Sequence, residues 1–414
     1  MSVPNYYDTP DLDEDGLPYP TATLDEVHAT FTDWLGDDYD TDALDAVLAA
    51  AAVEQLDGDP LWLLLISGSG NAKTETAQAL AGAGAMVTST VSSPGALLSA
   101  TAQKDRAKDA TGGLLRKIGS HGVLVIKDVT SILSMNKDAR SEVLAALREV
   151  YDGHWSRNVG SDGGRTLDWH GRIVVVGAVT TAWDKAHAAI SSMGDRFVLV
   201  RMDSRTGRQK AGRQAIANTG NEAAMRADLS DVVGALLRKQ LVGVALTEDE
   251  SERLLAAADL VTLARTGVEF DYRGDVIDAH APEMPTRFAK QLAQVMRGAV
   301  ALGMDRDHAL RLAVRCARDS MPPLRLAIVD DLAVNPGAST TEVRKRLDKP
   351  RNTVDRQLQA LHMLGVLTCD EESLSEMRTV WRYSLADDID PTALLVPEKL
   401  VPTRRTTRER GDSR

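Results

Sequence analysis

Cysteine is almost missing from this 414-residue chain: Cys316 and Cys369 stand far apart and suit neither a disulfide framework nor a thiolate metal site, so both read as packed thiols. Long apolar runs are missing too. None approaches the length of a membrane span, and no basic start leads into an apolar stretch near the N-terminus, so the expected compartment is the cytoplasm, with no membrane partner. No repeat of solenoid length is visible. Basic residues are absent from one region only: residues 1 to 60 hold sixteen Asp and Glu and no Lys or Arg. The formal net charge of −12 is therefore local, since residues 61 to 414 hold 48 basic and 44 acidic residues, a balance of +4. The stretch "NYYDTPDLDEDGLPYPTATLDE" is rich in Asp and Pro with little to bury, and residues 1–24 read as a solvated acidic tail rather than a docking segment or nucleic-acid mimic.

What is present is enough apolar content, 43%, for a globular chain of two or three domains. "DALDAVLAAAAVEQLDGDP" has helical spacing and a Gly-Asp-Pro stop. Short apolar runs then recur at Leu61–Ile66, Met86–Val87, Val123–Ile126, Ile173–Val176 and Phe197–Val200, separated by helical stretches. Strands covered on both faces require such runs, so the fold class is α/β, a parallel sheet of about five strands between helices, over residues 25–206. From Gly207 to Ser320, Ala, Leu and Arg dominate with helical periodicity, which implies a helical subdomain over 207–320. "MPPL" breaks the chain at 321–324 and opens a smaller unit, 321–390; the Arg-rich end, 391–414, reads as a basic tail.

The stretch with most chemistry is "LWLLLISGSGNAKTETAQAL", residues 61 to 80. A strand runs into a small-residue turn and then a helix, with nearly the spacing of the phosphate loop G-x-x-x-x-G-K-[ST]. Two glycines are missing: Ser67 holds the first position and Ala72 the second. Both replacements are small, Gly68, Gly70 and Asn71 keep the turn open, Lys73 would reach the β and γ phosphates of ATP, and the Thr74 hydroxyl would hold Mg²⁺. "GVLVIKDVTSIL" is a buried strand ending in Lys127-Asp128, where such ATPases carry an Asp-Glu pair. In register, Lys127 replaces the metal-side acid and Asp128 is the catalytic acid; shifted by one, Asp128 is the metal ligand. One carboxylate is missing either way. "RIVVVGAVTTAWD" places Thr180 and Thr181 at a strand tip, where a polar residue such as Thr180 could sense the γ-phosphate, and "SSMGDRFVLVRM" places Arg196 before the fifth strand.

In this order the motifs resemble the AAA+ ATPases, over roughly residues 40 to 320. The resemblance implies that Arg196 is an arginine finger acting on a neighbouring subunit, and hence a homo-oligomer. "AALREVYDGHWSRNVGSDGGRTLDWHGRIVVVGAVTT" adds a Gly-rich hairpin before the sensor strand, similar to the pre-sensor hairpin of the branch that includes the minichromosome maintenance helicases and the enhancer-binding activators. "PTRFAKQLAQVMRGAVAL" is similar to the helicases' lid helix, which implies a sensor role on nucleotide for Arg287. In the resembling helicases such hairpins follow a single strand through a pore, so Arg157 and Arg165 are expected on DNA phosphates, unless they pair with Asp152, Asp162 or Asp168.

In the last unit, Ser339 and Glu342 form a capping box, and Asn352 is placed to cap the next helix, whose Val354, Leu358 and Leu361 share a face. Two short strands follow around an acidic tip, Asp370 to Glu372, with Trp381, Tyr383 and Leu385 on one face. Helix, helix and hairpin in this order resemble a winged helix-turn-helix, with Arg351, Thr353, Arg356 and Gln357 available to duplex DNA. Three functions are compatible with these features: an ATP-driven DNA motor or replication initiator, a DNA-binding regulator or scaffold using ATP as a slow or structural switch, and a protein remodeller. The hairpin and the helix-helix-hairpin unit favour nucleic acid over a polypeptide.

Overall fold

The computed structural model describes residues 20–100, 112–160, 164–185, 196–375 and 378–395. Most of the acidic tail, Asp162 in the hairpin turn, and the Arg-rich end from 396 lie outside the described residues. Two leading helices, α1 (Leu24–Leu35) and α2 (Thr41–Ala52), precede the first strand. α1 begins inside the stretch read as tail, because Thr23 and Glu26 close a reciprocal capping box and Val27 and Phe31 anchor the helix.

The sheet has five parallel strands: β1 (Trp62–Ile66), β2 (Met86–Thr88), β3 (His121–Ile126), β6 (Arg172–Val179) and β7 (Val198–Arg201), in the order β2-β3-β6-β1-β7. Every expected strand takes part. Between β3 and β6 the chain forms helices α6 (Thr130–Leu133) and α7 (Lys137–Tyr151) and the antiparallel hairpin β4 (His154–Val159) and β5 (Arg165–His170). Three further helices, α3 (Lys73–Gln78), α4 (Pro94–Leu97) and α5 (Leu114–Ile118), connect the earlier strands.

Alternation along the strands divides the buried residues into two cores. Leu63, Leu65, Val174, Val176, Val198 and Val200 face α2 and the later helices, while Trp62, Leu64, Ile66, Leu124, Ile126, Val175 and Leu199 face α7 and the hairpin. Past α8 (Arg208–Ala217), which buries no residue, the first core continues into α9 (Glu222–Leu237), α10 (Glu248–Arg265), the small hairpin β8 (Val268–Phe270) and β9 (Val276–Ala279), α11 (Thr286–Ala301) and α12 (Arg306–Asp319). Gly298 lets α11 reach α2, since a Cβ there would stand 2.2 Å from the Ala49 carbonyl oxygen.

The C-terminal segment contains α13 (Pro323–Val334), β10 (Ala338–Ser339), α14 (Thr340–Leu347), α15 (Arg351–Met363), β11 (Leu367–Ser375) and β12 (Arg378–Leu385), the strands ordered β10-β12-β11. The Ser339–Glu342 capping box is present. Asn352 does not cap α15: the helix starts one residue earlier behind Pro350, whose ring fixes φ at −59°. Asp370 to Glu372 are not a tip, because β11 continues to Ser375 and Arg382 binds Glu372 and Glu342, each at 2.7 Å. On the expected apolar face only Tyr383 is buried, and Trp381 is 52% exposed. Both cysteines are free thiols. No described helix is long and apolar enough to cross a membrane.

Candidate functional site

Parallel strands bring the turn after β1, the tip of β3, the tip of β6 and the loop after β7 to one edge of the sheet. Ile66 is in register with both Val179 and Arg201, and Ile126 with Gly177. Because β6 lies between β1 and β3, Thr180 stands between the phosphate-loop-like turn and Asp128. A crevice at strand C-termini is where open α/β sheets bind ligands.

In the turn, Gly70 has φ of 78° and Ala72 φ of 53°, both left-handed. Ala72 thus occupies the conformation that glycine takes at no steric cost, at an expense of about 1–2 kcal/mol for an L-residue. Ala72→Gly is expected to raise stability to urea by about 0.5–1 kcal/mol, the relieved strain exceeding the added freedom of the unfolded chain. Urea denaturation of the two proteins tests this, and a loss of stability would show that Ala72 is not strained. Asn71 Nδ2 donates to the Asp203 carbonyl at 3.0 Å, tying the turn to the loop after β7.

Lys73 is the unusual residue of this edge. It is only 8% exposed, and Nζ donates to Ser67 Oγ at 2.9 Å, to the Ser67 carbonyl at 3.2 Å and to the Gly68 carbonyl at 2.6 Å. All three acceptors are neutral, and among the described residues no carboxylate forms a salt bridge with it. Burial accordingly holds its pKa below the usual lysine value. Ser67, in place of glycine, supplies one of the acceptors. Thr74 is exposed beside it.

Asp128 is exposed, with Oδ1 accepting from the Thr130 amide at 3.0 Å. The Thr130 hydroxyl in turn accepts from the Thr180 amide at 3.2 Å and contacts the Thr180 hydroxyl at 3.4 Å. Thr130 therefore links the two residues expected to work together, and only the pairing of β3 with β6 reveals it. A second link that periodicity could not show is Tyr39, whose hydroxyl meets Thr76 Oγ1 at 2.8 Å and fastens the approach to α2 onto α3.

Arg196 and Arg287 are elsewhere. Arg196 precedes β7 and so lies at the opposite, N-terminal edge of the sheet. Its side chain is 12% exposed, binds Asp152 Oδ2 at 3.0 Å and lies 5.6 Å from the Tyr151 ring centre. Arg287, in the first turn of α11, is 3.5 Å from Glu283 and acts electrostatically on the same Tyr151, whose pKa burial pushes up to about 12. Within one chain, Arg287 thus neighbours Tyr151 rather than Lys73.

The hairpin lies on its anchored face, with Trp155, Leu167 and Trp169 buried in the second core. Arg157 is half-buried and donates to the Leu98 carbonyl at 2.7 Å, and among the described residues it pairs with no acid of the hairpin. Arg165 is exposed near the tip. On α15, Arg351 and Thr353 are exposed, whereas Arg356 donates to the Arg273 carbonyl at 2.7 Å and Gln357 accepts from Arg325 at 2.9 Å. The turn between β8 and β9 thus covers part of the face expected to meet DNA. Tertiary packing, not helical periodicity, decides which polar residues remain open.

No protein-family model matches this chain, and no curated protein is significantly similar to it. Among solved structures, a full-length MCM homolog from Methanopyrus kandleri is 12% identical, with 72% of this chain and 60% of that chain covered and a TM-score of 0.38. The chain thus spans less than two thirds of that protein. The SCCmec type IV Cch active helicase is also 12% identical, over 95% of this chain and 75% of that chain, with a TM-score of 0.38. The Aeropyrum pernix ORC1 protein in complex with DNA is 16% identical, over 85% and 90%, with a TM-score of 0.24. These likenesses are distant.

Proposed function

We propose that this protein is an ATP-binding, DNA-associated AAA+ ATPase, an oligomeric DNA motor or replication-initiator type of protein. The observation that carries the reading is Lys73: a buried cation in a strand-to-helix turn, surrounded by neutral oxygens and without an acid partner among the described residues, is a group prepared for an anion. The donor set fits a nucleotide triphosphate, with the turn residues Gly68, Gly70, Asn71 and Ala72 around the phosphates and Lys73 on the β and γ oxygens. Thr74 and Asp128 would hold Mg²⁺, which neutralises phosphate charge when bound. Asp128, positioned by Thr130 beside Thr180, is the one carboxylate of the pair present, and it orients the attacking water. The domains in this reading are the nucleotide unit 25–206, the helical lid 207–320 and a winged helix over 321–390.

DNA is the partner in this reading. Arg165 at the hairpin tip meets a single strand, and Arg351 and Thr353 meet a duplex. Arg157, Arg356 and Gln357, each engaged by another segment of the chain, are not among these contacts. The alternative, a DNA-binding regulator using ATP as a slow or structural switch, is favoured by one observation: Lys127 stands where a second acid would be. Phosphate release measured at saturating ATP and Mg²⁺, with single-stranded DNA, duplex DNA or neither, separates them. The motor reading expects turnover that rises at least about tenfold with DNA, the scale of a positioned base or better. ATP binding with no turnover under DNA saturation supports the switch, and absence of ATP binding overturns both.

A further inference from the structure

Three helices meet away from the phosphate-loop-like turn at a cluster that the nucleotide reading does not use. Asp42 and Asp45, three residues apart, project from one face of α2, and His308 projects from the first turn of α12. One oxygen of each aspartate and one ring nitrogen of His308 all lie within 4.8 Å of one another. Asp45 is 1% exposed in a run of buried residues, Ala43 to Ala52. Its Oδ1 is held by His28 Nε2 of α1 at 2.6 Å, and its Oδ2 is buried with no hydrogen-bond partner. His308 Nε2 is likewise buried without a hydrogen bond and stands 3.5 Å from Asp42 Oδ1.

We propose that Asp42, Asp45 and His308 form a binding site for a zinc-type divalent cation. A buried carboxylate oxygen without a partner is costly, and a cation supplies what no protein donor does. Two carboxylates and one imidazole are ligands for a borderline ion that keeps a fourth position for water. Ligands about 2.0–2.2 Å from such an ion stand a little over 3 Å apart in a tetrahedron, close to the 3.5 Å already between His308 Nε2 and Asp42 Oδ1, so loading asks only a small shift of Asp45 toward them. The outer atoms are already oriented. His28 fixes Asp45, and Arg315 Nη1 lies 3.5 Å from Asp42 Oδ2, in the manner of second-layer partners that orient metal ligands.

The ion joins α1 and α2 to α12. Arg315 also binds Asp40 and donates to the Arg201 carbonyl at 3.0 Å, and Asp319 accepts from the Arg201 amide at 2.8 Å, so α12 is bonded to the end of β7. The cation is therefore a clamp between the leading helices and the lid, separate from the Mg²⁺ of the nucleotide site.

Chelator-stripped full-length protein, titrated with Zn²⁺ by calorimetry and with Co²⁺ by visible absorption, tests the site. The expected result is one ion per chain, a four-coordinate Co²⁺ spectrum and a rise in the unfolding temperature. Asp45→Asn and His308→Gln, each checked for native circular dichroism, should weaken binding by about 100-fold or more and abolish the Co²⁺ spectrum, while Lys73→Ala retains both. No saturable Zn²⁺ binding by the wild-type protein overturns the proposal. So does unchanged binding in His308→Gln or in Asp45→Asn, either variant being sufficient if the other fails to fold.

Discussion

Replacing Lys73 with alanine will weaken ATP binding by about 100-fold or more and leave the fold standing. The ammonium contributes charge-assisted hydrogen bonds to two phosphates, each about 1.5–3 kcal/mol, so their joint loss exceeds the 2.7 kcal/mol or so of a hundredfold change in affinity. The structure indicates why stability should not fall with it. Lys73 is a desolvated cation whose pKa burial has lowered, and its contacts are with Ser67 and Gly68 of the same turn, so removing it relieves a desolvation cost that offsets the hydrogen bonds lost to the Ser67 hydroxyl and to the two carbonyls. Calorimetric titration with ATP and Mg²⁺, alongside thermal unfolding, gives both quantities. Equal nucleotide affinity in the variant and the wild type would remove the assignment of this edge as a nucleotide site.

Much of the sheet was legible because its strands are covered on both faces. Such strands carry continuous apolar runs, and Leu61–Ile66, Val123–Ile126 and Ile173–Val176 stand out against polar connections. The phosphate-loop-like turn was legible through spacing, with Lys73 and Thr74 following a buried strand at the right interval. What spacing could not supply is the arrangement between segments. Thr130 has no local signature, and its link to Thr180 exists only because β6 is inserted between β3 and β1. Trp381, Tyr383 and Leu385 share a face by alternation, but only the middle one is buried, so alternation identified a face and not its burial.

The polar residues were the least legible. Arg157, Arg356 and Gln357 carry groups suited to nucleic acid, and each is engaged instead by a main-chain carbonyl or a side chain from a distant segment. Arg165, Arg351 and Thr353 have the same chemistry and remain exposed. Nothing in local sequence separates the two groups, because hydrogen-bond partners of long side chains are chosen by packing. The α1 start, by contrast, was written in the chain as Thr23-x-x-Glu26, and the Asp and Pro content around it masked the capping signal.

Arg196→Ala is expected to retain ATP binding and lose turnover by about 10³-fold, the lower end of what an arginine finger contributes. Lys73 follows the C-terminal end of β1, and Arg196 precedes the N-terminal end of the adjacent β7, so the five residues of β1, about 17 Å at 3.3 Å each, separate the two edges. A side chain held at the second edge cannot stabilise charge at the first within one subunit; it can do so in a neighbour. The pair with Asp152 does not prevent this. Asp152 is 56% exposed, and an ion pair of that kind contributes about 1 kcal/mol or less, against roughly 4 kcal/mol for a thousandfold gain in rate. Equal mixtures of Arg196→Ala and Lys73→Ala subunits should therefore recover turnover toward about a quarter of the wild-type rate, because random neighbours bring an intact Lys73 together with an intact Arg196 at about one interface in four. Phosphate release from the mixture, with subunit exchange verified by labelled chains, gives the answer. Mixed oligomers with no recovered activity would place Arg196 in the packing around Tyr151 and leave the site to be completed by another residue.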